Sequence, residues 1–203
     1  PSGERPVRSA AITPLDGAPA KVTKRIVHDM DKSYFPVKTI VPSTEIVQDR
    51  VTLELFRGCT RGCRFCQAGM IYRPNREKKV EHLKEVAAAL IKNTGHEEIS
   101  LSSLSSSDYK ELDELITFLL DICKEKKINI SLPSLRIDAF SLDIMQKVQD
   151  VKKSSLTFAP EAGTQRLRNV INKGLTIDDI MNGSKQAFEG GWNKVKFYFM
   201  LGL

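Results

Sequence analysis

From residue 51 onward, short apolar runs alternate with longer stretches that have the apolar spacing of one helix face. This alternation restricts the fold more than any other feature of the chain. The strand-like runs cover residues 51–56, 98–101, 129–132, 155–158 and 194–200, and the helical stretches cover 79–93, 108–126, 141–148 and 163–188. Such alternation predicts an α/β fold with a parallel sheet and right-handed crossovers. We expect a partial (β/α)6 TIM-like barrel that stops after its fifth strand.

Residues 1–50 have a different composition, with six prolines and no helical period. We expect an extended lead-in over residues 1–50 that links to an N-terminal domain and adds an edge strand or two, followed by a core domain over residues 51–203. The chain begins without Met and ends on the apolar run 197–203. We therefore expect it to be a fragment of a longer protein.

Charge and hydropathy narrow the possible partners and compartment. The chain has 31 basic and 25 acidic residues, a net charge of +6. Because the basic residues are scattered, solvated surface lysine is favoured over nucleic-acid binding, and RNA stays an open but unsupported alternative. No apolar run reaches the ~18 residues of a membrane span and no signal-peptide core is present, so we expect a cytoplasmic protein without a membrane partner.

Three of the four cysteines follow the first predicted strand at spacings of four and three: Cys59, Cys63 and Cys66. Three thiolates can bind three irons of a cubane cluster, which takes four ligands, so one iron stays open. An open metal position is typical of a site that binds and activates a ligand. The alternative is a structural zinc site with Cys123 or a histidine as fourth ligand. Cys123 is in register with the apolar face of its helix, however, and we expect it to pack in the core.

Polar or glycine-bearing runs follow each predicted strand. In a parallel α/β barrel, the chemistry collects at these carboxyl ends of the strands. The runs cover residues 57–59, 102–108, 133–136, 159–161 and 201–202. The sequence therefore predicts one shared active-site mouth.

The cysteine run, with Phe65 directly before its last cysteine, resembles the signature of the radical S-adenosylmethionine (SAM) enzymes. The wider runs 57–76 and 159–168 resemble one branch of that superfamily, whose full-length members look like fusions of a cobalamin-binding-like N-terminal domain to the radical domain. The resemblance covers about residues 24–203.

This resemblance implies a 4Fe–4S cluster held by Cys59, Cys63 and Cys66, with SAM chelating the fourth iron. Reductive cleavage of SAM would yield methionine and a deoxyadenosyl radical that abstracts hydrogen from a substrate. It also implies a reductant such as flavodoxin or ferredoxin and, for the full-length protein, cobalamin as a candidate cofactor. The substrate and the residues that act on it are not readable from the sequence.

The resemblance also suggests which strand-end residues bind SAM. Ser105 and Ser106 stand where many members carry a glycine-glycine-glutamate motif, and Arg136 presents paired donors for a carboxylate. Glu161 is placed to accept from ribose hydroxyls, and Gly202 lies in the segment that packs on adenine in the family. The structural alternatives are helix capping by the serine run, a surface ion pair for Arg136 and helix N-terminal charge pairing for Glu161.

Two other functions stay open. One is a methylthiotransferase-like modification of tRNA or a ribosomal protein, which would need a second cysteine-bound cluster. The other is a non-catalytic zinc or electron-transfer binding module. Metal content separates a radical SAM domain, which binds iron, from a zinc module, which does not.

Overall fold

The computed structural model describes residues 15–139, 142–149 and 156–203. The strands are β1 (Val51–Glu54), β2 (Phe56–Arg57), β3 (Arg76–Glu77), β4 (Glu98–Ser102), β5 (Asn129–Ser131), β6 (Leu156–Glu161) and β7 (Val195–Phe199). The helices are α1 (Gln67–Ile71), α2 (Val80–Thr94), α3 (Leu112–Lys124), α4 (Leu142–Gln149), α5 (Gln165–Val170) and α6 (Ile177–Glu189). Two 3₁₀ turns, Ser106–Asp108 and Ile137–Ala139, follow β4 and β5.

The strands form two parallel sheets and one small ribbon. The first sheet has the order β1-β4-β5, in which Ile99 lies between Val51 and Ile130. β6 and β7 form a second parallel pair, with Phe158 opposite Phe197. The predicted α/β fold with parallel strands is confirmed. Within the described residues no ladder joins β5 to β6, so the barrel is open there.

The core consists of two apolar clusters, one on each parallel sheet. Leu83 and Leu90 of α2 and Leu115 and Leu119 of α3 are buried against the first sheet. Burial of each such side chain contributes about 1.5–3 kcal/mol. The second cluster includes Phe158, Leu175 and Trp192 from around β6, α5 and α6. Together the two clusters fix the strands whose carboxyl ends lie near the cysteine loop.

α6 packs closely on the 3₁₀ turn after β5. A Cβ built on Gly183 of α6 would lie 2.4 Å from Cγ1 of Ile137. This close approach sets the position of the turn that carries Asp138, next to Arg136. Since α6 begins with a capping box between Thr176 and Asp179, its start is also well defined.

The predicted edge strands of the lead-in are wrong for its described part, because residues 15–50 form no strand. Phe35 and Val37 do pack against the first cluster, but Ile40 is 96% exposed and Val41 45%. The alternating run therefore has no common buried face. The lead-in residues 1–14 lie outside the described residues, as do residues 140–141 and 150–155, which include the starts of the third predicted helix and the fourth predicted strand.

The sequence analysis also did not predict α1 or the antiparallel β2–β3 ribbon. The run at 51–56 changes partners at Leu55, whose N–H donates to Ser102 O and whose carbonyl accepts from Lys78 N, both at 3.0 Å. A two-residue ribbon and a five-residue helix are too short to show a period. None of the helices in the described ranges is both long and apolar enough to cross a membrane.

Candidate functional site

The cysteine loop begins with a sharp backbone turn at Gly58. Gly58 has φ +97°, and a Cβ at this position would lie 2.7 Å from Pro74 O and 2.9 Å from Tyr72 O. Only glycine fits both the positive φ and this close approach. The chain thus leaves β2 pressed against residues 72–75 and places Cys59 at the end of the strand.

Backbone N–H groups point at two of the three thiols. Cys66 is the N-cap of α1, and its Sγ accepts from Gly69 N at 3.4 Å. The Sγ of Cys59 accepts from Arg61 N at 3.5 Å. Cys59, Cys63 and Cys66 are all unpaired and half-buried. Amide donors of this kind stabilise a thiolate, which is the form that binds metal.

The loop is also bonded to the C-terminal end of α5. Arg64 N donates to Ile171 O at 2.9 Å, and Asn172 Nδ2 donates to Gly62 O at the same distance. These bonds join the loop after β2 to the segment after β6. The cysteines are therefore held between both parallel sheets.

A cavity of about 340 Å³ opens beside the three cysteines. Its wall comes from the loop and from segments after or within the parallel strands, and includes Ser105 after β4, Arg136 after β5, Glu161 at the end of β6 and Tyr198 of β7. The volume is within the range of small-molecule sites. The structure thus brings strand-end residues from both sheets to one mouth.

A series of ion pairs links the loops around this cavity. Arg61 of the cysteine loop pairs with Asp108 and, at 3.3 Å, with Asp138. Arg136 Nε and Nη2 donate to the two carboxylate oxygens of Asp138 at 2.9 and 3.0 Å, and Nη2 also donates to Lys173 O at 3.1 Å. Arg61 therefore ties the cysteine loop to the turns after β4 and β5.

The electrostatic interactions in these ion pairs stabilise the charged forms of Arg61 and Asp108. The hydrogen bond with Asp108 raises the pKa of Arg61 above its ordinary value. Burial is the largest single effect on Asp108 and favours its neutral form, but the hydrogen bond and charge of Arg61, together with Ser105 and Arg136, outweigh burial and lower the pKa of the carboxyl. The carboxylate and guanidinium are therefore both ionised near neutral pH.

Glu161 stands in an unusual backbone conformation at the cavity wall. Its φ is +67°, and the β6–β7 register shifts between Phe158 and Glu161. Lys173 Nζ lies 3.3 Å from the Glu161 carboxylate, and the backbone carbonyl of Glu161 accepts from Met200 N at 2.9 Å. Strained residues and bulges of this kind turn a side chain toward a site.

The structure brings together six of the eight predicted site residues. Cys59, Cys63, Cys66, Ser105, Arg136 and Glu161 all line the cavity. Ser106 is fully buried, and its hydroxyl donates to Leu101 O at 3.2 Å, so this hydroxyl faces the core. Gly202 is not among the lining residues, and nothing lies within 4 Å of a Cβ built there.

Several cavity residues escaped the sequence analysis. The sequence analysis did not select Arg61 or Lys173, which line the cavity, or Asp138, which pairs with both Arg61 and Arg136. Tyr198 also lines the cavity and is 51% exposed. Only Asp138, two residues after Arg136, had a local signal: a carboxylate spaced to receive a neighbouring guanidinium.

Two further residues, Cys123 and Arg168, have structural roles. Cys123 is buried in the core of α3, as its register predicts, and burial raises the pKa of its thiol to about 11. Arg168 is 2% exposed and donates to the carbonyls of Ala162, Gly163 and Leu175 at 3.0–3.1 Å. In the described ranges, no three His, Cys, Asp or Glu side chains lie close enough to share a single metal ion.

A sequence model of the radical SAM superfamily matches residues 53–203. The chain is 36% identical over 190 residues to the uncharacterized protein MJ0966 of Methanocaldococcus jannaschii, an alignment that covers 89% of this chain and 41% of that protein. It is 26% identical over 148 residues to the putative methylthiotransferase MJ0865 of the same organism, covering 70% of this chain and 33% of that protein. The chain thus spans less than half the length of these curated relatives.

Solved structures show the same fold. The radical SAM methyltransferase TsrM from Kitasatospora setae matches with a TM-score of 0.58 at 10% identity, covering 74% of this chain and 30% of that one. The cobalamin-dependent SAM radical enzyme OxsB matches with a TM-score of 0.52 at 18% identity, covering 74% and 23%. At these identities the likeness establishes the fold alone.

Proposed function

This chain belongs to the radical SAM superfamily, and on that premise we propose that it holds a 4Fe–4S cluster through Cys59, Cys63 and Cys66 and cleaves SAM reductively. The observation that carries the proposal is that all three cysteines line one cavity, together with polar side chains from both parallel sheets. A purely structural metal site does not need such a cavity. The substrate of the resulting radical stays open.

The cysteine loop has the chemistry that a cluster needs. Three half-buried thiols, two of them accepting amide hydrogen bonds, form a donor set for iron and leave one iron of a cubane without a protein ligand. Gly58 keeps the loop close to residues 72–75 without a side chain in between. When bound, the cluster and SAM together supply the one-electron reductive cleavage that forms a 5′-deoxyadenosyl radical.

The cavity residues are proposed to bind and orient SAM. Arg136 presents a guanidinium for the methionine carboxylate, and Asp138 and the carbonyl of Lys173 fix its plane. Glu161 offers a carboxylate to ribose hydroxyls, positioned by Lys173. Ser105 lines the cavity together with Cys59 and Arg136. Ser106 contributes through its N–H, which donates to Ser134 O at 2.9 Å and so holds the serine loop in place.

An external one-electron reductant completes this function, as is general in the superfamily. Cobalamin stays a candidate cofactor on the resemblance of residues 57–76 and 159–168. We also propose that residues 1–50 act as a linker and residues 51–203 as the radical SAM core. These statements concern the whole protein, whose activity and partners are not fixed by this chain.

A methylthiotransferase is the second candidate function. Its support is the 26% identity to a putative methylthiotransferase. The cysteines of this chain do not provide a second cluster, because Cys123 is buried in the core. Mass spectrometry of tRNA after incubation with the reconstituted protein and SAM tests it: a methylthio adduct supports this function, and unchanged nucleosides remove it.

The main proposal is tested by anaerobic reconstitution followed by addition of dithionite and SAM. We expect 5′-deoxyadenosine from the wild-type chain, none from Cys63→Ser, and wild-type amounts from Cys123→Ala. The last variant is a matched control, since it also removes a thiol. Failure of the reconstituted wild type to form 5′-deoxyadenosine would contradict the proposal.

A further inference from the structure

The segment that follows the cysteine loop carries three exposed apolar side chains. Met70, Ile71 and Tyr72, at the end of α1, are each about half exposed, at 48%, 48% and 50%. None of them lines the cavity beside the cysteines. The thiols therefore have the cavity on one side and this apolar surface near another.

Three cations surround the same segment. Lys24 Nζ donates to the carbonyls of Ile71 and Arg73, Arg73 Nε to Gly69 O at 3.0 Å, and Arg76 Nη2 to Tyr72 O at 3.2 Å. In the described parts of the chain, Lys24, Arg73 and Arg76 have no carboxylate partner within ion-pair distance. Carbonyl oxygens carry only partial charge, so they leave most of the three positive charges uncompensated.

This surface lies next to the thiols along the chain and in space. Cys66 caps α1, and at a rise of 1.5 Å per residue the exposed segment lies about 6–9 Å further along the helix. Arg73 also lies near the cysteine loop, because its Nη2 would lie 3.7 Å from a Cβ built on Gly62. A partner on this surface would therefore sit close to the metal ligands without blocking the cavity.

We propose that the α1 face, defined as Lys24, Met70, Ile71, Tyr72, Arg73 and Arg76, is the docking surface for an acidic one-electron carrier protein. The inference rests on the proposed function: a reduced flavoprotein or iron–sulfur protein loses one electron, the cluster held by the cysteines gains it, and no atom is transferred. Electron-transfer encounters use small interfaces, and charge complementarity raises their association rate.

A nucleic-acid backbone would be attracted by the same cations. The observations favour a protein, because three exposed apolar side chains belong to the same segment whose carbonyls bind the cations, and protein interfaces combine an apolar centre with a polar rim. Nucleic-acid sites instead spread many cations along a groove. The test below includes both partners.

The test uses the double variant Lys24→Glu/Met70→Glu and a matched control, Lys185→Glu/Met181→Glu, which makes the same two changes on exposed positions of α6. Circular dichroism and thermal unfolding confirm that both variants fold. Affinity for a purified acidic flavodoxin is measured at low and high salt, with and without the cluster, followed by stopped-flow reduction of the reconstituted protein. We expect a loss of about tenfold or more in affinity and rate for the α1-face variant, and less than about twofold for the control.

Reduction by dithionite, which needs no docking, should be the same in all three proteins, and wild-type affinity for the flavodoxin should fall with salt. Carbodiimide cross-linking of the wild type gives a second measurement, in which Lys24 should join the flavodoxin and Lys185 should not. Unchanged flavodoxin binding by the α1-face variant, or cross-links that omit Lys24, would overturn the proposal. Loss of tRNA binding with unchanged flavodoxin binding would assign the face to nucleic acid. Since binding and cross-linking need no cluster, a protein that binds flavodoxin but no iron refutes the proposed function and not the docking surface.

Discussion

Replacement of Gly58 by alanine should disrupt the site through sterics alone. At φ +97° an alanine is strained by about 1–3 kcal/mol. The new Cβ would also meet Pro74 O at 2.7 Å and Asn75 Cα and Tyr72 O at 2.9 Å, all of them backbone atoms. Overpacking of this kind costs about 1–3 kcal/mol more. We therefore expect Gly58→Ala to lower the free energy of unfolding by about 4 kcal/mol.

Gly95→Ala is the matched control. Gly95 ends α2 at φ +70°, but nothing lies within 4 Å of a Cβ built there. It carries the backbone strain without the clash, and we expect a loss of about 1 kcal/mol. Because Gly58 precedes Cys59 directly, Gly58→Ala should also lower iron occupancy after reconstitution, whereas Gly95→Ala should not.

Urea unfolding, thermal unfolding and iron analysis of the two variants measure these effects. With about 2–4 °C per kcal/mol for a chain of this size, the melting temperatures of the two variants should differ by about 6–12 °C. Equal destabilisation by the two substitutions, or full iron occupancy in Gly58→Ala, would refute the argument that residues 72–75 press on the start of the cysteine loop.

Three further outcomes follow from buried or charged groups. Arg168→Met should lower the free energy of unfolding by about 3–5 kcal/mol in urea, since it strands buried carbonyls; a loss below about 1 kcal/mol would contradict the hydrogen bonds assigned to this side chain. Arg61→Gln should cost about 1–2 kcal/mol at pH 7. Because the folded-state pKa of Asp108 is lowered, this contribution to the free energy of unfolding is present above the ordinary pKa of 3.8 and is lost as the pH falls through the folded-state pKa. The stabilities of the wild type and the variant should therefore converge in acid. A constant difference down to pH 2 would argue against the Arg61–Asp108 pair. Iodoacetamide at pH 8 should label the three loop cysteines of the native apoprotein and spare Cys123, whose thiol has a pKa of about 11; rapid native labelling of Cys123 would show that it is not in the core.

The sequence predicted the parallel α/β order because strands and helices of ordinary length carry strong periodic patterns. The apolar face of α2 and its end at Gly95 follow directly from residue spacing. The β2–β3 ribbon and α1 did not, because two to five residues show no period. Their positions depend on contacts with residues 72–75, which no local pattern encodes.

The candidate site was predictable where position along a strand determines position in space. Arg136 and Glu161 follow predicted strands, and the structure places both at the cavity. Ser106 directly follows Ser105, but the 3₁₀ turn directs the Ser106 hydroxyl into the core. The pairing of Arg61 with Asp138 spans 77 residues and joins two loops, so the sequence alone gave no sign of it.

Metal content of the anaerobically reconstituted chain tests the central claim most directly. The account predicts about four irons and four sulfides per chain, an absorbance band of a 4Fe–4S cluster, and no stoichiometric zinc. Cys63→Ser should lose this iron, and Cys123→Ala should keep it. One zinc per chain without iron, or iron binding that does not depend on Cys63, would contradict the assignment of the three loop cysteines as cluster ligands.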